Sequence, residues 1–411
     1  MKIAFISDLH LGFNGEESFE NAKQAFDLAL KEKPDLILIG GDIFHEKLPK
    51  QEILGEAIEL FSQINKSLKK VLLLKYVDKE KKIIEKKELI PAIIGIWGTH
   101  ERRHLHALNP AQLLQKANLI YLLHGESALI EIGYEKIGIH GLSGVPEDYA
   151  KDALKTWAPP PFENCYNILL LHQNLTELIP VESNAISFRD LPEGFDYYLA
   201  GHIHWHFEDE HPKTNAPILI PGSTIITQLT QKEANSEKGF FIINLPQNKK
   251  LAEHKFYKIR TRPAHYGIIE IENKKPLEIC AIILETLNKI IKFSNSQKPL
   301  IKIKLKGKLA KGFTTNDLDF STIYKEFGEK IELDIDKTEL ESENQVEKTN
   351  LLKDLKEKKI AIDQYGLNFL KNNLNFKITY QILDQLFNFL AEEELEKAEN
   401  ILENVENDKQ N

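Results

Sequence analysis

Residues 35–45 read DLILIGGDIFH. Leu36 to Ile39 are apolar without interruption, which suits a strand covered on both faces rather than one lying half in water. Gly40 and Gly41 end the run, and a carboxylate (Asp42) and an imidazole (His45) follow at once. Four other apolar runs end in the same way. They are 2–7 (KIAFIS) before Asp8-Leu9-His10, 91–97 (PAIIGIW) before Gly98-Thr99-His100-Glu101, 167–171 (NILLL) before His172, and 196–200 (DYYLA) before Gly201-His202-Ile203-His204. In sheets covered by helices, ligands collect beyond the C-terminal ends of the strands. Five polar blocks at such ends can converge on one crevice.

Residues 18–32 and about 50–66 carry the apolar spacing of helices packed on a sheet. Strand and helix alternate, so the fold class is α/β. Residues 67–90 interrupt the alternation, and VLLLKY and KKIIEK around Val77-Asp78 predict an inserted hairpin. Shorter strands are expected at about 119–123, 128–132, 136–141 and 217–221, with a Pro-rich loop at 158–164. GFFIINL at 239–245 closes a first domain, 1–245. The character then changes: 246–330 has a net charge of about +9. Lys302, Lys304, Lys306 and Lys308 alternate with apolar residues there and share one face of a strand. That face is either a solvated edge or a strip turned to phosphates. A second domain over 246–336 is followed by a polar stretch, 337–350, that reads as a linker. Residues 351–411 read as helical, and Leu383, Leu386, Phe387, Phe389 and Leu390 form a stripe that packs on the chain itself or docks on a partner.

The 411 residues hold 53 Lys and Arg against 62 Asp and Glu, a net charge of −9 that argues against a wholly basic nucleic-acid coat. A local basic strip, or a nuclease whose metals carry the positive charge, stays open. Cys165 and Cys280 are far apart and without CxxC companions, which excludes a disulfide scaffold and a thiolate metal site and suits a reducing compartment. No apolar run approaches the roughly 18 residues of a spanning helix, and the N-terminus reads as a strand rather than a signal peptide. A soluble, cytoplasmic protein with no membrane association is the expectation. Twelve of the 14 histidines fall in the first 211 positions, which directs attention to the five blocks.

Carboxylate oxygens and imidazole nitrogens, without thiolates, are the ligand set of Mn²⁺, Fe or Zn²⁺. Two such ions ~3.5–4 Å apart clamp a phosphate, activate a water and stabilise a leaving oxygen. A pair needs a bridging carboxylate, and Asp42, which follows the central strand, is the natural bridge.

The five blocks in this order resemble the calcineurin-like metallophosphoesterase superfamily. GDIFHEKLPKQE (41–52), LLLHQN (169–174), YYLAGHIHWHF (197–207) and PGSTIITQLTQKEANSEKGFFIINL (221–245) narrow the resemblance to the nuclease subunit of the double-strand-break repair complex, the SbcD/MRE-eleven family. The resemblance is firm over 1–245 and looser over 246–335. It implies a β-sandwich flanked by helices, a small α+β DNA-capping domain, and a C-terminal helical segment that grips an SMC-like ABC ATPase. It implies two Mn²⁺ per chain, one held by Asp8, His10, Asp42 and His204, the other by Asp42, His172 and His202 with the residue at Thr99. His100 would be the catalytic histidine off the metals, and His45 would orient substrate. The family has Asn where Thr99 stands, and a Thr hydroxyl is a shorter, weaker donor, so a looser second ion is expected.

Arg102 and Arg103 bind substrate phosphate or form a salt bridge with Glu101 or another acid. His104 and His106 belong to the same loop, His206 and His211 are surface or supporting residues, and His124 and His140 are structural. Trp205 packs beneath the site or stacks on a base. The implied activity is Mn²⁺-dependent DNA cleavage, 3′ to 5′ on duplex ends and endonucleolytic on single strands, by a homodimer whose helices lie at about 50–66 and 102–117. A phosphodiesterase for a nucleotide or small phosphoester, and a non-catalytic repair scaffold, are the competing readings.

Overall fold

A computed structural model describes residues 1–103, 107–179, 185–247, 252–292 and 298–342, with Ile382, Gln385, Leu386 and Phe389. The chain opens with β1 (Lys2–Ile6), α1 (Glu17–Lys31), β2 (Leu36–Ile39), α2 (Gln51–Ser67), β3 (Val71–Val77), β4 (Ile83–Ile90), β5 (Ile93–Gly95) and α3 (Pro110–Lys116). There follow β6 (Tyr121–Leu122), β7 (Glu126–Ile132), β8 (Glu135–Leu142), α4 (Glu147–Trp157), β9 (Tyr166–His172), β10 (Tyr197–Gly201), β11 (Phe207–Glu210) and β12 (Pro217–Ile220). The remainder is α5 (Gln231–Ala234), β13 (Gly239–Asn244), β14 (Glu253–Lys258), β15 (Ala264–Lys274), α6 (Pro276–Lys292), β16 (Leu300–Leu309), α7 (Ser321–Phe327) and β17 (Glu332–Glu341).

Two sheets make the first compact unit, which is Met1–Gly267 with short later returns. One has six strands in the order β14-β13-β1-β2-β5-β6, the other eight in the order β11-β12-β10-β9-β8-β7-β3-β4. Successive side chains of a strand point to opposite faces, and here both faces are dry. Ile3, Phe5, Leu36 and Leu38 meet Ile168, Leu170, Tyr197 and Leu199 in the core between the sheets. Ala4, Ile6, Ile37 and Ile39 face Ala22, Phe26, Leu60 and Phe61 of α1 and α2. Leu169, Leu171, Tyr198 and Ala200 face Ala150, Leu154 and Trp157 of α4. The result is the expected β-sandwich flanked by helices, and the two-sided burial explains the unbroken apolar strands.

The hairpin of 67–90 forms as β3 and β4, closed by Asp78 Oδ1 accepting the N–H groups of Glu80 (3.0 Å) and Lys82 (2.9 Å). It adds to the second sheet through β7, leaving β4 at the edge. The helix expected over 102–117 starts only at Pro110: Asn109 caps it by accepting from Gln112 N at 2.8 Å, and proline suits the first helical turn. Past the boundary drawn at Leu245, β14 pairs with β13 along its whole length, so the sheet continues.

The second unit, from Ile268, holds most of the sheet β15-β16-β17. β16 is its middle strand, not an edge. Its alternate residues Ile301, Ile303, Leu305 and Leu309 are buried. Of its lysines, Lys304 pairs with Glu339 at 2.6 Å and Lys308 with Glu341 at 4.0 Å. Those glutamates lie in the stretch read as a linker, whose residues 337–341 belong to β17; their charges, which made the stretch look solvated, answer the lysines. Residues 343–350 of that stretch and the helical reading of 351–411, four positions apart, lie outside the described residues. Among the described residues no helix is long and apolar enough to cross a membrane.

Candidate metal centre

The site begins with how closely the strand ends approach. β1 and β2 are parallel neighbours, and their exits stay paired: Asp8 N donates to Gly41 O and His10 N to Asp42 O, each at 3.0 Å. Likewise β9 and β10 are parallel, with Gly201 opposite His172. Glycines permit the convergence. A Cβ on Gly41 would lie 2.5 Å from His172 Nδ1, one on Gly201 would overlap Gly40 O and Ser7 Oγ, and one on Gly98 would overlap Asp42 Oδ1. Gly98→Ala should therefore displace Asp42. We expect a destabilisation on the order of 1–3 kcal/mol and weakened uptake of both ions, read from thermal melts and Mn²⁺ titration. Unchanged uptake would show that the crowding is relieved elsewhere.

Asp8, His10, Asp42 and His202 have φ of 52°, 47°, 46° and 79°, in the left-handed region. Non-glycine residues there cost of order 1–3 kcal/mol each and collect at functional sites. The side chains so aimed form two groups. Ligand atoms of Asp8, His10, Asp42 and His204 lie within 4.8 Å of one another, as do those of Asp42, His172 and His202. Asp42 belongs to both. Nε2 of His10 and Nε2 of His204 are 3.1 Å apart, and Nε2 of His172 is 3.2 Å from Asp42 Oδ2. His172 Nδ1–H donates to Gly40 O at 2.7 Å, which leaves Nε2 as its ligand atom.

Whether these residues suit cations is testable on the buried atoms. His202 Nδ1 is buried with no hydrogen-bond partner, and Asp42 Oδ2 and His172 Nε2 are buried facing each other at 3.2 Å, a costly state unless an ion answers them. Burial drives the imidazole of His10 down to about 3 and that of His202 to about 4, and puts His204 well below its ordinary value, so all three are neutral at pH 7. Burial would also lower His172, but Asp42 overrides it and lifts this imidazole to about 9. Against its own burial, Asp42 is held far below the usual carboxylate range by His172. Burial pushes Asp8 up to about 7. Three neutral imidazoles around crowded carboxylates are a donor set for divalent cations, and His172 joins them on losing its proton.

His100 lies beside the first group, its ring centroid 4.9 Å from that of His10. Its main-chain N–H donates to Asp42 Oδ1 at 2.9 Å, and its Nδ1–H to His45 O at 2.6 Å. His45 Nδ1 is 3.4 Å from His10 Nδ1, and its ring also meets Phe13. His10, His45 and His100 form a third close group. Thr99 stands between Gly98 and His100, and its carbonyl accepts from Arg102 N at 3.3 Å. Arg103 donates to Leu108 O at 3.0 Å. Neither arginine has Glu101 as a salt-bridge partner. Glu101 is fully buried, accepting from Phe44 N at 3.0 Å and Gly98 N at 2.7 Å, and so locks the loop after β5 to the block after β2.

Glu101 is one residue that sequence reasoning missed; the acid directly after Gly-Thr-His was the available signal. Ser7 is another, donating to Asp8 Oδ2 at 2.5 Å. A third group lies under His204, where Thr227, Glu233 and Lys238 meet. Elsewhere His140 is buried between Ser127 and Asn167, and His211 is buried against Tyr198. His124 lies tilted against Trp97, and His206 stacks on Phe256. Trp205 packs on the core beneath α4, with Lys232 Nζ 4.7 Å from its ring centroid. His104 and His106 lie outside the described residues.

The family model "Calcineurin-like phosphoesterase" matches residues 1–206. "Double-strand break repair protein MRE11" of Encephalitozoon cuniculi is 29% identical over 305 residues, 68% of this chain and 51% of that protein. "DNA double-strand break repair protein Mre11" of Methanopyrus kandleri is 27% identical over 298 residues, 67% of this chain and 60% of that protein. The protein of the same name in Saccharolobus solfataricus is 27% identical over 322 residues, 75% of each. The aligned part thus spans about half to three-fifths of the first two relatives.

Proposed function

This chain belongs to the calcineurin-like phosphoesterase family, and from that membership we propose that it is a Mn²⁺-dependent DNA nuclease of double-strand-break repair. It acts 3′ to 5′ on duplex ends and endonucleolytically on single strands. The observation that carries the reading is Asp42 standing in two ligand groups at once, the requirement of a two-cation centre. The similarity to proteins named for double-strand break repair supports DNA as the substrate.

When bound, a cation pair neutralises phosphate charge and eases ionisation of the attacking water. Asp8, His10, Asp42 and His204 would hold one ion, and Asp42, His172, His202 and Thr99 the other. His100, anchored through Nδ1 to His45 O, carries its exchangeable proton on Nε2 and delivers it to the departing oxygen. His45 buttresses His10 and His100, while Arg102 and Arg103 follow the loop where phosphate would lie. Ile58 of α2 and Leu113 of α3, with Leu48 and Leu108 nearby in sequence, are exposed apolar residues that suit a homodimer contact. The C-terminal segment takes an SMC-like ABC ATPase partner, a role resting on the resemblance.

The test is cleavage of linear duplex, circular single-stranded DNA and a bis-aryl phosphate by the full chain with Mn²⁺. Cleavage of the small ester alone would favour the small-substrate phosphodiesterase. Thr99→Asn should tighten the second ion about tenfold, within the range for altered support of a metal site, and raise DNA cleavage at limiting Mn²⁺. No change would mean that position 99 is not a ligand.

A further inference from the structure

The segment between Gly222 and Gly239 contains a buried ion pair that the metal ligands do not account for. Lys238 and Glu233 have side chains each 1% exposed, with Nζ 2.8 Å from Oε1. Lys238 Nζ also donates to the backbone carbonyl of His204 and to Ser223 Oγ, both at 2.7 Å. Glu233 accepts from the main-chain N–H groups of Thr227 (3.1 Å), Gln228 (3.2 Å) and Leu229 (3.1 Å). Thr227 Oγ1 lies 2.7 Å from His204 Nδ1. His204 is thus gripped at two points, its carbonyl and the ring nitrogen remote from Asp8 and His10. Desolvating two charges seldom adds net stability, and apolar residues of similar size usually hold a fold as well. What such a pair gives is fixed geometry. A Nδ1–H committed to Thr227 leaves Nε2 of His204 with its lone pair turned toward the first ligand group, the arrangement that supporting residues give metal-binding histidines.

We propose that Thr227, Glu233 and Lys238 form a clasp that positions His204 for a divalent cation. They are positioning residues: Thr227 sets the ring, and the Glu233–Lys238 pair sets the turn and the backbone that carry it. The proposal rests on the two-cation reading of the site.

Thr227→Val exchanges only the hydroxyl for a methyl at a partly buried position, so the fold should persist. The probe is Mn²⁺ alone, with the free ion followed by electron paramagnetic resonance during titration of the full chain, and with metal-free melting curves alongside. We expect Thr227→Val to bind one of its two ions 10- to 100-fold more weakly, with the other ion and the melting midpoint nearly unchanged. Thr227→Ser should restore the affinity. The double variant Glu233→Gln/Lys238→Met, if it folds, should show the same selective loss; if it does not fold, Thr227→Val decides. Two ions bound to Thr227→Val with native affinity would overturn the clasp and leave the two-cation reading standing. An unaltered chain that takes up no Mn²⁺ would overturn both.

Discussion

His100→Asn should lower kcat for DNA cleavage by about 10²- to 10⁴-fold, the range for loss of a general acid, while the chain still takes up two Mn²⁺. The substitution is chosen from the hydrogen bonds. The bond from residue 100 to Asp42 Oδ1 comes from the main chain and survives. An Asn side-chain amide can still donate toward His45 O, as Nδ1–H does now at 2.6 Å. What disappears is the Nε2 proton. KM should therefore move little. The ring's closeness to His10 and His45 allows a different outcome, since these three could themselves hold a cation. If His100→Asn loses an ion, His100 is a ligand and its role as proton donor is wrong.

How much of this was legible beforehand follows from where each residue's partners lie in the chain. β1, β2, β9 and β10 declare themselves because both faces of each are buried, so no polar residue breaks the run. Their polar exits announce the crevice, and Asp42, His172 and His202 stand together where that argument puts them. Glu233 and Lys238 were not legible, and Glu101 only by its place after Gly-Thr-His, because a charged residue in a charged stretch normally reads as solvated. Their burial is produced by distant partners: the N–H of Phe44 for Glu101, the carbonyl of His204 for Lys238. β17 failed for the same reason, its glutamates being matched by lysines some 35 positions earlier. β11 (FEDE) is an edge strand with exposed acids and carries no apolar alternation to betray it. α4 does carry an amphipathic stripe and could have been found.

Asp42→Asn should have the largest effect of any single change. Cleavage should fall on the order of 10⁴-fold, the upper end for one principal group, and Mn²⁺ uptake should fall from two ions to at most one weakly held. Both ligand groups contain this carboxylate, so each ion loses its shared anion at once. The same change has a metal-free signature. Against burial, Asp42 lifts the His172 imidazole to about 9, so near pH 7.5 that ring holds a proton which an incoming cation must expel. Affinity for Mn²⁺ should therefore rise with pH up to about 9 in the unaltered chain. A folded pKa above the unfolded one means that the metal-free fold gains stability in full below about 6.5 and loses it as pH rises through about 9. In Asp42→Asn the attraction is gone and burial leaves His172 neutral, so the part of the proton release on adding Mn²⁺ that comes from His172 should disappear. The difference in melting temperature between pH 6.5 and 9.5, measured with a chelator present, should shrink too. Calorimetry in buffers of different ionisation enthalpy reads the first quantity, and thermal denaturation reads the second. Full uptake of two ions by Asp42→Asn would remove the shared carboxylate on which the nuclease reading stands. A lost ion with an unchanged pH slope would keep the centre but show that His172 does not take its charge from Asp42.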